Sequence, residues 1–383
     1  NLETVPIAGY SDKLSGRPGD KINFMVSSEH KSDFTAQLFR SVSADPNPKG
    51  QGIVEYPCDD FFPKQTFSSR EQKFYPGSYG ITEQTLKMSA DDNIRFSVTV
   101  YPTLKTSNHQ TLMEFGRFCL TLDPEGHPSF SFGSETVTTV DAVSMRRWQR
   151  VEAQINKTGL MSIELINLDN SKDSKPAFFQ LDVAWDLNEQ AYVIIAAQRV
   201  KGLTKNCFNG KIERPEIYAD EQSIAVWDFS KNTSSLSVPG IGCPDLMLIN
   251  APTRAVTGAL WDASEMNWQH KPEHYSAIAF HEDDIYDFNW GADFSFIIPP
   301  KMPSGIYIMR ISCEDDYDAI PFFVCPEKGQ PSARLCVLVS TFTYVIYGNH
   351  ARPDYNDTWL QRIADWNAYP HNPAQFQSYG LST

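Results

Sequence analysis

Trp148-Gln-Arg-Val-Glu-Ala-Gln-Ile155, then Lys157-Thr-Gly159, then Leu160-Met-Ser-Ile-Glu-Leu-Ile166 read as a strand, a turn and a strand. Alternating apolar and polar residues turn one face of each stretch to a core and the other to water, and the Thr-Gly pair punctuates them. The pattern repeats outward from this hairpin. Ile94 to Tyr101, Gln110 to Phe115, Phe118 to Leu122 and Tyr192 to Ala197 are strand candidates, separated by turn signals such as Asp123-Pro-Glu-Gly126 and Asp169-Asn-Ser171. Toward the N-terminus, Lys21-Ile-Asn-Phe-Met-Val-Ser27 and Thr35-Ala-Gln-Leu-Phe-Arg40 alternate likewise, as two facing strands, with Arg17-Pro-Gly-Asp20 as a turn ahead of the first. Toward the C-terminus the series continues through Leu246 to Ile249, Tyr275 to Phe280, Phe294 to Ile298, Gly305 to Ile311 and Ala319 to Val324. Short strands at close spacing predict a mainly β chain built of sandwiches.

The chain has 383 residues, above the ceiling of roughly 250 for a single hydrophobic core, so two or three domains are expected. Residues 246–325 hold few strands, and residues 20–45 hold strands with no sheet of their own. The economical solution is one discontinuous sandwich, residues 1–60 plus 240–326, with residues 70–235 inserted as a second domain. The Trp148 strand, the Thr-Gly turn and the later Phe208-Asn-Gly-Lys-Ile-Glu-Arg-Pro-Glu-Ile217 give the insert a resemblance to the laminin-G or concanavalin-like jelly roll. Gly305-Ile-Tyr-Ile-Met-Arg-Ile311 after Pro303-Ser304 resembles a closing strand of an immunoglobulin-like sandwich.

The character changes after Pro326-Glu-Lys-Gly-Gln-Pro331, a linker by composition. Arg334-Leu-Cys-Val-Leu-Val-Ser340 is apolar at consecutive positions, which predicts a strand buried on both faces, as in a parallel sheet covered by helices. A loop through Thr341 to His350 and a helix at Asp357 to Asn367, capped by Asn356 or Asp357, complete one β-α unit. Residues 333–383 are therefore expected to begin an α/β domain left incomplete at Thr383, because one such unit cannot bury a two-faced strand. Ligands of open α/β sheets sit at the carboxyl ends of strands, which places the loop from Thr341 to His350 at the expected site.

Composition narrows the rest. The formal net charge of -14, with no long stripe of Arg and Lys, disfavours nucleic acid as a partner. No apolar run approaches the roughly 18 residues of a membrane span, and the first residues lack the basic and apolar regions of a secretory signal. Seven widely spread cysteines without CxxC or zinc spacing read as reduced, mostly core thiols, so a cytoplasmic location is expected. No GxSxG elbow, P-loop or dinucleotide fingerprint occurs.

Gly9-Tyr10, Phe74-Tyr-Pro-Gly-Ser-Tyr79, Ala225-Val-Trp-Asp-Phe-Ser230, Asn250-Ala-Pro-Thr-Arg-Ala-Val-Thr-Gly258 and above all Ser340-Thr-Phe-Thr-Tyr-Val-Ile-Tyr-Gly-Asn349 occur in this order. On these residues the chain resembles the large (beta) subunit family of N,N-dimethylformamidase nearly end to end. The resemblance implies an amide hydrolase that converts N,N-dimethylformamide to dimethylamine and formate. It implies a mononuclear iron, in the ferric state, held by two tyrosines and a glutamate, and a small partner subunit in a hetero-oligomer. The first tyrosine ligand is carried onto Tyr344, with Tyr347 as its rival; the second tyrosine and the glutamate are expected beyond Thr383, so this chain alone is expected to be inactive. A phenolate is a hard oxygen donor suited to ferric iron, although the metal must draw off a proton whose solution pKa is about 10. Such an ion activates a bound water toward a small amide, and Phe342, Trp359 and Trp366 are candidates for apolar walls.

His350 and Asn349 are candidates for orienting a ligand there, against the plainer reading of His350 as a surface-loop residue. Arg352 before Pro353 reads as structural or as a subunit contact. Glu282-Asp-Asp284 and Glu314-Asp-Asp316 lack the spacing of a calcium loop and read as solvated turns. His270, His274 and His281 have metal-like spacing, but Pro272 interrupts any shared helix. Two other functions compete with the hydrolase: a carbohydrate- or protein-binding sandwich without catalysis, and a scaffold for subunit assembly.

Overall fold

The computed structural model describes residues 6–45, 50–169, 175–181, 188–330 and 333–347. The chain divides into two units, Asn1–Phe74 with Asn289–Thr383 and Tyr75–Phe288.

The first unit contains two sheets. One orders its strands Ile7–Ser11, Lys21–Ser28 and Phe294–Ile297. The other runs Ser15–Gly16, Asp316–Val324, Gly305–Cys313, Phe34–Ala44 and Ile53–Pro57, with Gln65–Phe67 also on Phe34–Ala44. Alternation sends Ile22, Phe24 and Val26 inward from one sheet, and Tyr307, Met309 and Ile311 inward from the other. These side chains share one core. Phe24 stacks on Phe294 at 5.1 Å and meets Phe322 of the opposite sheet edge-on at 5.9 Å, the arrangement that a ring quadrupole favours. Gly305–Cys313 lies between Phe34–Ala44 and Asp316–Val324. It is an interior strand, not the closing strand expected from its sequence.

The second unit is a larger antiparallel sandwich. Its first sheet orders Glu135–Thr138, Pro128–Phe132, Phe118–Leu122, Gln110–Phe115, Val193–Ile195, Tyr79–Thr82, Leu246–Ile249 and Ser237–Val238. The second orders Ala177–Gln180, Leu160–Asn167, Gln149–Asn156, Asn93–Pro102, Gly210–Ala219, Gln222–Trp227 and Gly240–Ile241, with Ala277–Phe280 also paired to Gly210–Ala219. Phe96 of the second sheet touches Phe118 and Phe130 of the first at 5.2 and 5.6 Å. Burying each such ring contributes about 1.5–3 kcal/mol.

The Asn209-Gly210 pair that marked the jelly roll has a backbone cause. Gly210 has a φ of 151°, and a Cβ there would lie 2.4 Å from the Tyr101 carbonyl. Asn209 is buried and threads the surrounding loops. Its amide N–H donates to Gln110 Oε1 at 2.8 Å, and its Oδ1 accepts from the Glu282 amide at 3.1 Å.

Two expectations about organisation change. Residues 240–280, assigned from sequence to the first sandwich, belong to the second unit: Leu246–Ile249 pairs with Tyr79–Thr82, and Ala277–Phe280 with Gly210–Ala219. Backbone pairing across such sequence distances leaves no local signal. The expected two-faced strand at 334–340 is also absent. Residues 335–340 form neither helix nor strand, and Leu335, Val337 and Leu338 are 82–94% exposed. A strand needs hydrogen-bonding neighbours, and the described residues provide none there. The expected loop after it is the helix Thr341–Tyr347. The helix expected at 357–367 lies outside the described residues.

Candidate functional site

Tyr344 sits on the helix Thr341–Tyr347, where Ser340 O accepts its amide N–H at 3.1 Å. Its ring is 54% exposed and lies 6.4 Å from the ring of Phe323. Its phenol has no hydrogen-bond partner among the described residues. Phe342 is 85% exposed, so neither aromatic lines an enclosed pocket here. Tyr347 ends the same helix; Asn349, His350, Trp359 and Trp366 lie outside the described residues. One half-exposed phenol with no second donor beside it does not make an iron site, so the described residues alone do not hold the metal implied by the resemblance.

The three spaced histidines are not brought together. His270 approaches Glu265 at 3.2 Å, His274 approaches Asp262 at 3.5 Å and His281 approaches Asp284 at 3.5 Å. The hydrogen bond to Asp284 raises the pKa of His281. Asp284 also accepts from Ser78 Oγ at 2.6 Å, and its carbonyl accepts from the Gly77 amide at 2.7 Å. This acidic segment is therefore a tied loop rather than a freely solvated turn. The Glu314 segment differs again: His30 reaches it, with Nδ1 3.4 Å from Glu314 and Nε2 3.0 Å from Asp316. No spacing rule flags that meeting, because His30 and Glu314 lie at opposite ends of the sequence.

On the second unit, the outward faces of Gln110–Phe115, Phe118–Leu122, Pro128–Phe132 and Glu135–Thr138 line a groove of about 550 Å³. Hydroxyls pair across neighbouring strands, Ser129 with Thr138 at 2.9 Å and Ser131 with Thr136 at 2.8 Å. Burial raises the Glu114 carboxyl, opposed by the Arg199 amide that donates to it at 3.3 Å. Burial also pushes the Cys119 thiol up to about 12, which keeps it protonated and poorly nucleophilic. Hydroxyls, an amide from Gln198 and the carboxyls of Glu114 and Asp123 give the groove the means to bind a polar ligand. They do not assemble a nucleophile and its base.

The seven cysteines are all free; Cys207 and Cys313 are buried and Cys336 is exposed. Among the described residues no helix is long and apolar enough to cross a membrane.

Comparison with known proteins bears on the C-terminal half first. Residues 253–380 match the family model for the C-terminal region of N,N-dimethylformamidase beta subunit-like proteins. The N,N-dimethylformamidase beta subunit of Paracoccus aminophilus is 30% identical over 407 aligned residues, covering 91% of this chain and 53% of that subunit. That of an Alcaligenes species is 27% identical over 403 residues, with the same coverage of 91% and 53%. The chain thus spans about half the length of the curated relatives it matches. Among solved structures, domains LG4-5 of the mouse laminin alpha1 chain superpose with a TM-score of 0.27 and 10% identity, covering 53% of this chain and 51% of that one. An SAP-like pentraxin of Limulus polyphemus gives a TM-score of 0.29 and 11% identity, covering 49% and 76%. Similarity that loose says nothing about ligands.

Proposed function

This chain is a relative of the N,N-dimethylformamidase beta-subunit family, and from that premise we propose that it works as part of an amide hydrolase acting on N,N-dimethylformamide or a similar small formamide. The observation that carries the reading is 30% identity to a named beta subunit along 91% of this chain, with the family's C-terminal match falling on residues 253–380. Water would add to the formyl carbon and the C–N bond would break, giving formate and a protonated dimethylamine. A neutral tertiary amide has no N–H to donate, so its recognition rests on the carbonyl oxygen and on apolar contact with the methyl groups.

The proposal extends to a mononuclear iron for which Tyr344, or Tyr347, supplies one phenolate, the other donors coming from outside the described residues. When bound, such an ion would polarise the carbonyl and acidify a water. A small partner subunit completes the proposed enzyme, as the word "beta" in the relatives' names supports. The two β units then act as framework for the catalytic part.

The deciding experiment is amine release from dimethylformamide by the complete protein with its partner, together with metal analysis. Stoichiometric iron and turnover support the reading; no iron and no amine overturn it. The polar groove supports a second reading, a sandwich that binds a hydroxyl-rich ligand. Binding on a glycan array by a protein that releases no amine would favour it.

A further inference from the structure

At one end of the first unit, the turn joining Gly305–Cys313 to Asp316–Val324 meets the residues that follow Lys21–Ser28. A nitrogen of His30, the Cys313 sulfur and a carboxylate oxygen of Glu314 all lie within 4.8 Å of one another. His30 is largely buried, its side chain 14% exposed, and Cys313 is buried. The imidazole is surrounded by potential partners, yet neither ring nitrogen makes a hydrogen bond of good geometry among the described residues. Nε2 is buried without one despite its 3.0 Å approach to Asp316. Ser32 links the other two groups: its hydroxyl donates to Glu314 Oε1 at 2.8 Å, and its carbonyl accepts from the Cys313 thiol at 3.3 Å. Glu314 occupies a left-handed backbone conformation, with a φ of 54°, which is uncommon for a residue that is not glycine.

We propose that His30, Cys313 and Glu314 are the protein ligands of a divalent cation of the zinc class, with Asp316 orienting the imidazole. One nitrogen, one sulfur and one oxygen are a donor set for a borderline-soft ion, whereas calcium and magnesium take oxygen alone. Ligands of a tetrahedral zinc stand about 3.5 Å apart given its bond lengths of about 2.0–2.3 Å. The three groups need to close by roughly 1 Å, within reach of a glutamate on an exposed turn. With Nδ1 on the ion, Nε2–H faces Asp316, the carboxylate–histidine–metal arrangement that fixes tautomer and ring angle. Binding displaces the thiol proton and leaves a fourth position to water. The ion would clamp the Asp316–Val324 hairpin to the residue 29–33 segment, a role independent of amide hydrolysis.

The test uses the full chain, titrated with zinc chloride and separately with cobalt chloride. A single zinc equivalent is expected, with a thiolate-to-cobalt charge-transfer band in the near ultraviolet. His30→Gln and Cys313→Ser should each weaken binding about 100-fold, Glu314→Gln at least about 10-fold, and Asp316→Asn about 10-fold. Because Cys313 is buried, its replacement can cost the fold, so His30→Gln and Glu314→Gln carry the result if Cys313→Ser does not fold. The proposal is overturned if zinc fails to bind, if binding shows no thiolate band, or if it persists unchanged in folded His30→Gln.

Discussion

Arg70 Nε donates to Asp293 Oδ1 at 2.7 Å, and the pair fastens the two segments of the first unit where each borders the sequence of the second. Asp293 is nearly buried, with its side chain 7% exposed. Its other oxygen accepts from the Val26 amide at 2.8 Å and from Gln72 Nε2 at 3.1 Å. Removing the carboxylate would strand these donors, and buried donors without partners are expensive. Asp293→Ala should lower the unfolding free energy by about 3 kcal/mol. Arg70→Ala should cost less, about 1 kcal/mol, since its guanidinium is half exposed. Urea titration followed by tryptophan fluorescence checks both.

Gly210→Ala is expected to destabilise the second unit by about 3 kcal/mol or more, because its φ of 151° is joined to a 2.4 Å approach of the Tyr101 carbonyl. Gly202 also has a positive φ, 82°, but open space where its Cβ would go. Gly202→Ala should cost only about 1 kcal/mol. Equal losses in thermal unfolding would show that the backbone approach is unimportant.

The Asp220 carboxylate accepts three backbone N–H groups, from Asp91, Asp92 and Asn93, at 2.6, 2.7 and 3.0 Å. These bonds hold its pKa below the usual carboxylate range. A depressed folded-state pKa means that the unfolded chain takes up the proton first as pH falls. The stabilisation is therefore fully present above the unfolded value of about 3.9 and is lost as pH drops through the folded one. The gap in unfolding midpoint between wild type and Asp220→Asn should be constant above about pH 5 and shrink below about pH 4. A gap that widens with acid would contradict this.

Replacing a proposed phenolate donor should remove metal and activity together. In the complete protein with its partner, Tyr344→Phe is expected to reduce amine release at least about 100-fold, with loss of bound iron. Tyr347→Phe serves as the comparison. Full iron and full turnover in Tyr344→Phe, with both lost in Tyr347→Phe, would transfer the role to Tyr347.

The sequence made the local hairpins readable: Gln149–Asn156 and Leu160–Asn167 pair across Lys157-Thr-Gly159 as their alternation predicts. Period-two patterning is a property of neighbouring residues, so it survives without knowledge of partners. Leu246–Ile249 is apolar throughout, and its partner Tyr79–Thr82 cannot be deduced from it. Pattern alone therefore places residues 240–280 with the first sandwich, whereas pairing puts them in the second unit. Leu335 to Val339 misled in another way, since a continuous apolar run fixes neither strand nor burial until something covers it. The meeting of His30 with Glu314 and Asp316 was illegible for the reason that hides most such sites: a turn and a distant loop converge through sheet register alone.

The split of the first unit imposes an order of events during synthesis. Lys21–Ser28 emerges early, but its sheet neighbour Phe294–Ile297 and the opposing Phe322 are made only after the whole second unit has been translated. At about 5–20 residues per second the wait lasts on the order of tens of seconds. Throughout that interval Phe24 and the edge beside it lack their final cover, whereas the second unit completes all of its strands before Phe294–Ile297 is made. Codon usage and ribosome-associated chaperones that shorten or shield this wait should therefore govern the yield of folded protein more than any single substitution in the finished core.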